Sequence, residues 1–278
     1  MTSAAARGLL VSTMILTPAL LLPNLGSDAT PFVLLVALLA GVLTFVEYNS
    51  VFPSIVEFRD AAPFNRLRFA ALFLTIFSLS VILRGMDAPT LMTTAVTSIG
   101  TIVGNTIDFP YSPVRMIVLM LPPDASAETV SFVRTAAGLS YMVSLIAMTA
   151  FLVLVRILNW PVRSGAFNVW VNLPLFDPTA GGDVLDRLQR DARINIALGF
   201  LLPFLVPAVV KLASDMIAPI TLQHPQTLIW TLAAWAFLPA SIIMRGIAMG
   251  KIADMIEEKR KRAYADAEAE SNGGFQPA

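Results

Sequence analysis

Glu47, Glu57 and Asp60 lie close along the chain to Arg59, Arg66 and Arg68, with Phe45, Tyr48, Phe52, Phe58 and Phe64 interleaved among them. Carboxylates gathered this way can share the work of a general acid and a general base when their surroundings push their pKa values apart. A membrane enzyme built from this sequence would have to use Glu47 together with Glu57 or Asp60. With Tyr48, the same stretch also reads as a docking surface for a partner, or as the cytoplasmic mouth of a site. The simplest reading is interfacial, because Phe and Tyr belong at the lipid headgroup level and arginines collect in loops that stay inside during insertion.

The remaining inventory is narrow. There is no cysteine, which excludes disulfides, thiol catalysis, thiolate metal sites and thioether-linked haem, and His224 is the single histidine. No metalloprotease helix motif, nucleophile elbow, Walker loop or Gly-rich dinucleotide fingerprint occurs. The expectation is a protein that is not an enzyme and holds no metal or cofactor. Asp177, Asp183, Asp186 and Asp191 lack calcium-loop spacing; they read as capping and solvated charge, with Asp183 as a helix N-cap.

Gly100 and Gly104, and again Gly246 and Gly250, are spaced for close approach of membrane helices. The first pair sits in a Thr-rich stretch, residues 97–106, that could serve an ion filter only as one of several subunits around an axis. A packing face is the expectation for both pairs. Pro203 and Pro207, like Pro18 and Pro239, interrupt helix hydrogen bonding, and broken helices are one way transporters bind substrates at mid-membrane. Lys211 is the cation nearest the middle of a span, placed where its stem reaches the interface, with Asp215 one turn on as a partner. Asn195, Ser140, Tyr141, Ser144 and Thr149 offer polar contacts between helices, and nothing in the sequence selects among them.

These groups must be positioned by membrane helices. Of 278 residues, 56% are hydrophobic and 14% charged, with a mean hydropathy of +0.73, whereas soluble domains are about a quarter charged. So few charges cannot cover a water-facing surface, and a net charge of zero supplies no field for nucleic acid. Six stretches approach the roughly 20 residues that cross a hydrocarbon core: 9–22, 31–48, 69–83, 130–155, 194–212 and 228–244. The third is short, and Arg68 and Arg84 at its ends can snorkel. The first has no A-x-A cleavage site after it and reads as a retained anchor. Within 159–193, a segment around Trp160, Phe167, Trp170 and Phe176 reads as lying on the membrane surface, before a helix that starts at Asp183.

With the N-terminus inside, fifteen Lys and Arg residues fall in inner segments, against Arg84, Arg115, Arg134 and Lys211 outside. That positive-inside bias places both termini in the cytoplasm, and the expected location is a bacterial inner membrane. It also decides residues 88–122, where 91–103 is apolar enough for a seventh crossing. One extra span would move the arginines of the second inner loop and the basic tail outside, so 88–122 reads as a helix, a turn at 108–113 and a short helix on the outer side.

The expected fold class is therefore all-α, a polytopic membrane helix bundle of about six spanning helices with an outer-side re-entrant or interfacial segment. Residues 1–250 form the bundle and 251–278 a cytoplasmic helical extension with a disordered end from 271. The expected partners are the lipid bilayer and other membrane-protein subunits, not nucleic acid. Function is expected to be that of an accessory, assembly or scaffold component of a membrane complex. The alternative is a small-solute or ion transporter with its site between two opposed three-helix halves, although unequal loops spoil an inverted repeat. A topology reporter fused after Pro122 is expected to report the outer face, and a cytoplasmic signal there would redraw the map.

Overall fold

Hydrocarbon offers no water to backbone N–H and C=O groups, so a chain this apolar must satisfy them along helices. The computed structural model of the protein describes residues 1–22, 29–161, 168–177, 181–216 and 224–273. Among these, every regular element is helical: α1 (Thr2–Leu21), α2 (Ala29–Asn49), α3 (Phe64–Asp87), α4 (Leu91–Ile107), α5 (Pro113–Val118), α6 (Ala127–Arg156), α7 (Val169–Asn172), α8 (Val184–Met216) and α9 (Pro225–Gly273). Six of them, α1, α2, α3, α6, α8 and α9, are long and apolar enough to cross a membrane. The chain is an integral membrane protein.

Each span outruns the apolar stretch that announces it. α3 takes in Asn65, Arg66 and Arg68 at one end and Arg84 and Asp87 at the other, reaching 24 residues where hydropathy alone marks 69–83. Polar side chains end a hydropathy window without ending a hydrogen-bond ladder. For the same reason α8 starts at Val184 and α9 continues to Gly273, past the position where disorder was expected to begin. Residues 274–278 lie outside the described residues.

The spans alternate, so one end of the bundle, called here the near end, gathers the start of α1, the end of α2 and the start of α3. The end of α6, the start of α8 and the outgoing part of α9 join them there. α4 and α5 lie at the far end. α4 has 17 residues and a capping box between Thr90 and Thr93, while Ser112 caps α5 ahead of Pro113. α4 starts beside Gly85 of α3 and finishes beside Arg134, in the first third of α6, and it is shorter than the six candidate spans. Asp108 pins its end: a carboxylate only 4% exposed, paired with Arg115 at 2.8 Å and Arg134 at 2.6 Å.

α3, α6 and α9 pack together at the centre, α1 leans on α2 and α3, and α8 lies along α9. Ile76, Leu79, Ile117, Val133, Ile229 and Leu232 fill the far half, and Phe58, Phe64, Phe151, Trp160, Leu188 and Met244 fill the near half. Lipid tails are as apolar as these side chains, so close packing rather than water exclusion holds the helices together within the bilayer. Gly104 and Gly138 mark a close backbone crossing. A Cβ on Gly104 would stand 2.6 Å from the carbonyl oxygen of Arg134, and one on Gly138 would meet the Gly104 backbone. Gly100 faces Thr135 on the same seam, Gly246 faces the Ala192 carbonyl across the α8–α9 contact, and Gly250 is in ordinary contact with Ala192.

The prolines of α8 leave it continuous. Pro207 has no N–H for the carbonyl of Pro203, one turn back, and the indole Nε1 of Trp235 in α9 donates to that carbonyl at 3.0 Å. The orphaned group thus becomes a helix–helix contact. Replacing Gly104 by Ala is expected to overpack the α4–α6 seam by about 1–3 kcal/mol and lower the unfolding midpoint in detergent. Gly181→Ala, where a Cβ meets nothing within 4 Å, should leave that midpoint in place.

Candidate functional site

The connection from α2 to α3 is built from charge. Near the end of α2, Glu47 turns its carboxylate onto three successive backbone amides, accepting from Ser54 at 3.0 Å, Ile55 at 2.9 Å and Val56 at 3.0 Å. Consecutive N–H groups of this kind form an anion-holding concavity, and here the anion belongs to the same chain. Arg59 closes the other side. Its Nη1 donates to the carbonyls of Ser50 at 2.5 Å and Glu47 at 3.2 Å, as a cation does at a helix C-terminus, and its Nε donates to Asp60 at 3.1 Å.

Glu57 carries the longest reach. Its two oxygens accept from Nε and Nη2 of Arg245 in α9 at 2.5 and 2.7 Å, and Nη1 of Arg245 donates to Oδ1 of Asn195 in α8 at 3.1 Å. The bidentate pair is largely withdrawn from solvent, with side-chain exposures of 8% and 26%. The Glu57 carbonyl accepts from Nδ2 of Asn65 at 2.7 Å, while Arg68 donates through Nη1 to Oδ1 of Asn65 at 3.3 Å and through Nε to Ser241 of α9 at 2.8 Å. One network thus joins the loop to α3, α8 and α9.

Between these charges, Phe58 is fully buried with a φ of 53°, a left-handed conformation that costs a bulky residue about 1–3 kcal/mol. It is held there from two directions. Its N–H donates to the Asn172 carbonyl at 2.6 Å, and the Asp60 N–H donates to the Asn172 side chain at 3.0 Å. Its ring packs 4.5 Å from Phe64 and 5.8 Å from Trp160, whose indole N–H is shared between the carbonyls of Ala61 and Ala62. The segment expected to lie on the membrane surface is therefore drawn onto the bundle: Trp160, Leu173 and Phe176 are buried. The aromatic packing under Phe58 outweighs an interfacial position. Residues 162–167, with Phe167, and the side chain of Trp170 lie outside the described residues.

The residues singled out from the sequence separate accordingly. Tyr48, Glu57, Arg59, Arg66 and Arg68 line one cavity of about 580 Å³, together with Arg7 and Arg245. Glu47 and Asp60 stand outside it, so the three carboxylates do not converge; each is engaged by a different partner. Among the described residues no three acidic or histidine side chains come together in a way that could hold a metal. Arg7, Arg245, Asn172 and Ser241 have no local signature, because their partners are distant in sequence; Arg245 reaches 188 residues back to Glu57. At the bundle centre, where a transport path would need polar groups, α3, α6 and α9 meet through Ile76, Leu79, Ala136, Leu232 and Ala236. The hydroxyls of Thr75, Ser80 and Ser140 there donate to carbonyls of their own helices. Pro203 meets α9 through its carbonyl, which accepts from Trp235, and Pro207 is buried. The Asp215 side chain, expected to partner Lys211, lies outside the described residues.

Comparison with protein families, with characterised proteins and with solved structures finds no match. Truncating one member of a buried ion pair leaves an uncompensated charge, a loss of about 3–5 kcal/mol. Glu57→Ala is expected to destabilise the purified protein by that order. A double-mutant cycle with Arg245→Ala, read by denaturation in detergent, should give a total well below the sum of the singles. Additive losses would mean the pair is not coupled.

Proposed function

We propose that the chain is a non-enzymatic accessory or assembly component of a bacterial inner-membrane complex, with both termini in the cytoplasm. It would offer the near-end loops and the projecting part of α9 to a partner subunit. The observation that carries this reading is the construction of residues 50–63. Connections between antiparallel helices commonly need about 2–8 residues, and this one has fourteen, held by Glu47, Arg59, Glu57 and the buried Phe58. A preorganised surface gives up less entropy when it binds. On it stand Val51, Phe52 and Ile55, exposed by 75%, 69% and 65%.

The outgoing end of α9 supports the same reading. It is exposed from Glu258 to Glu270 and steadied by Glu257 with Lys261 and Glu258 with Arg262, both one turn apart. Arg260 clamps it to the start of α8 through both oxygens of Asp183, at 2.8 and 2.9 Å. The Arg260 hydrogen bonds, then the Leu185 amide, hold the Asp183 carboxyl down at about 2. A depressed carboxylate pKa keeps such a clamp in force above the ordinary carboxylate range and weakens it only as pH falls through the lowered value.

Photo-crosslinkers placed at Phe52 and at Tyr264, activated in native membranes, are expected to yield the same protein adduct. A crosslinker at the lipid-facing Leu35 should not. Removing residues 263–278, which spares the Arg260 clamp, should abolish the adduct at Phe52 or weaken it severalfold while leaving the unfolding midpoint of the bundle unchanged. Lipid adducts alone at Phe52, with a particle of one chain after mild solubilisation, would defeat the proposal in favour of a purely interfacial loop.

A further inference from the structure

Five guanidinium groups surround the near-end cavity of about 580 Å³. Two are neutralised within the protein: Arg245 by both oxygens of Glu57, and Arg59 by Asp60. Arg7 and Arg66 pair with no carboxylate among the described residues, and the one carboxylate near Arg68 is Glu57, whose two oxygens are both taken by Arg245. Arg7 lies over the ring of Tyr48, 4.3 Å from its centroid. Arg68 spends one N–H on Ser241 and one on Asn65, both neutral acceptors. A guanidinium has five such donors, so three remain on Arg68, whose side chain lines the cavity. Five guanidiniums against the carboxylates of Glu57 and Asp60 leave an excess of three positive charges, on a wall that also belongs to membrane helices; this calls for an anion, and the planar guanidinium fork matches the oxygens of a phosphate.

The rest of the wall says what kind of anion. Leu10 and Met14 follow Arg7 along α1, Leu72 follows Arg68 by one turn of α3, and Phe237 closes the floor from α9. The cations thus ring the level at which the helices leave the bilayer, while the apolar side chains continue one to two turns inward. A small hydrophilic anion would leave that apolar surface unused. An amphiphile would use both parts. Leu10, 51% exposed, and Ile55 mark the open mouth, and basic pockets between spanning helices on the cytoplasmic side suit acidic headgroups.

We propose that this cavity binds an anionic phospholipid from the leaflet at the near end, its phosphate among Arg7, Arg66 and Arg68 and its first acyl segment against Leu10, Met14, Leu72 and Phe237. The site is independent of any partner subunit, since a chain that met no partner would still retain the lipid. The test uses the full chain purified in a neutral detergent and offered dioleoylphosphatidylglycerol, dioleoylphosphatidylcholine or inorganic phosphate, with bound lipid read by native mass spectrometry. Phosphatidylglycerol is expected to be retained about tenfold over phosphatidylcholine, and Arg7→Gln and Arg66→Gln each to lose about tenfold, the scale of one charge-assisted contact. Arg262→Gln, on the exposed helix, should change nothing. Arg66 has no polar partner among the described residues, so its variant should unfold at the wild-type midpoint. Leu72→Trp, which fills the wall, should also displace the lipid. Equal retention of the two lipids, or undiminished retention in both Arg7→Gln and Arg66→Gln, overturns the proposal. So does displacement of phosphatidylglycerol by an equal concentration of inorganic phosphate, because the apolar wall would then contribute nothing.

Discussion

Within hydrocarbon a backbone N–H or C=O has no water to fall back on, and each one left unpaired costs several kcal/mol. Most of this architecture follows from that constraint. It makes the six apolar stretches helices and lets those helices run on into polar residues until a cap or a turn takes over. It also explains why proline is tolerated: the carbonyl that Pro207 cannot serve is taken by Trp235, whose own indole N–H needed an acceptor. Two deficits cancel, and α8 is tied to α9 at that point. Where the chain must turn inside the far half, the same rule gives α4 and α5 side-chain caps from Thr90 and Ser112.

Charge does at the ends what backbone pairing does in the middle. At the near end, Glu47 is consumed by its own loop, Glu57 by Arg245 and Asp60 by Arg59. At the far end, Asp108 holds two arginines. Buried pairs of this kind seldom add much stability over apolar packing, yet breaking one is costly, so they hold one arrangement in preference to others. The consequence for function is an asymmetry: among the described residues the carboxylates here are spent on structure, and the arginines around the cavity outnumber them. An acid–base centre and an anion-binding cleft can be written with nearly the same residues, and their pairing is what separates the two.

The six candidate spans and their all-helical character were legible in the linear chain, because length and apolar runs are one-dimensional properties. Helix ends were less so. Arg66, Arg68 and Arg84 lower a hydropathy average but leave the ladder of α3 intact. The loop between α6 and α8 was misjudged for a related reason. Trp160 and Phe176 have the amphipathic chemistry of interfacial residues, and only the cluster formed by Phe58, Phe64 and Phe151 turns them inward.

For the site, the sequence by itself determined that arginines and aromatics crowd the connection between α2 and α3, that thiol and histidine-cluster chemistry is excluded, and that the chain must live in a bilayer. It could not determine which charges meet. Glu57 finds Arg245, and Arg68 finds Ser241, across most of the length of the chain. Such pairings depend on how helices lie against one another, which is set by small residues at crossings such as Gly104 with Gly138 and leaves no periodic mark near the charges themselves. Tertiary structure alone therefore left Glu47 and Asp60 outside the cavity, set Glu57, Arg59, Arg66 and Arg68 on its wall, and brought in Arg7 and Arg245 to complete the ring.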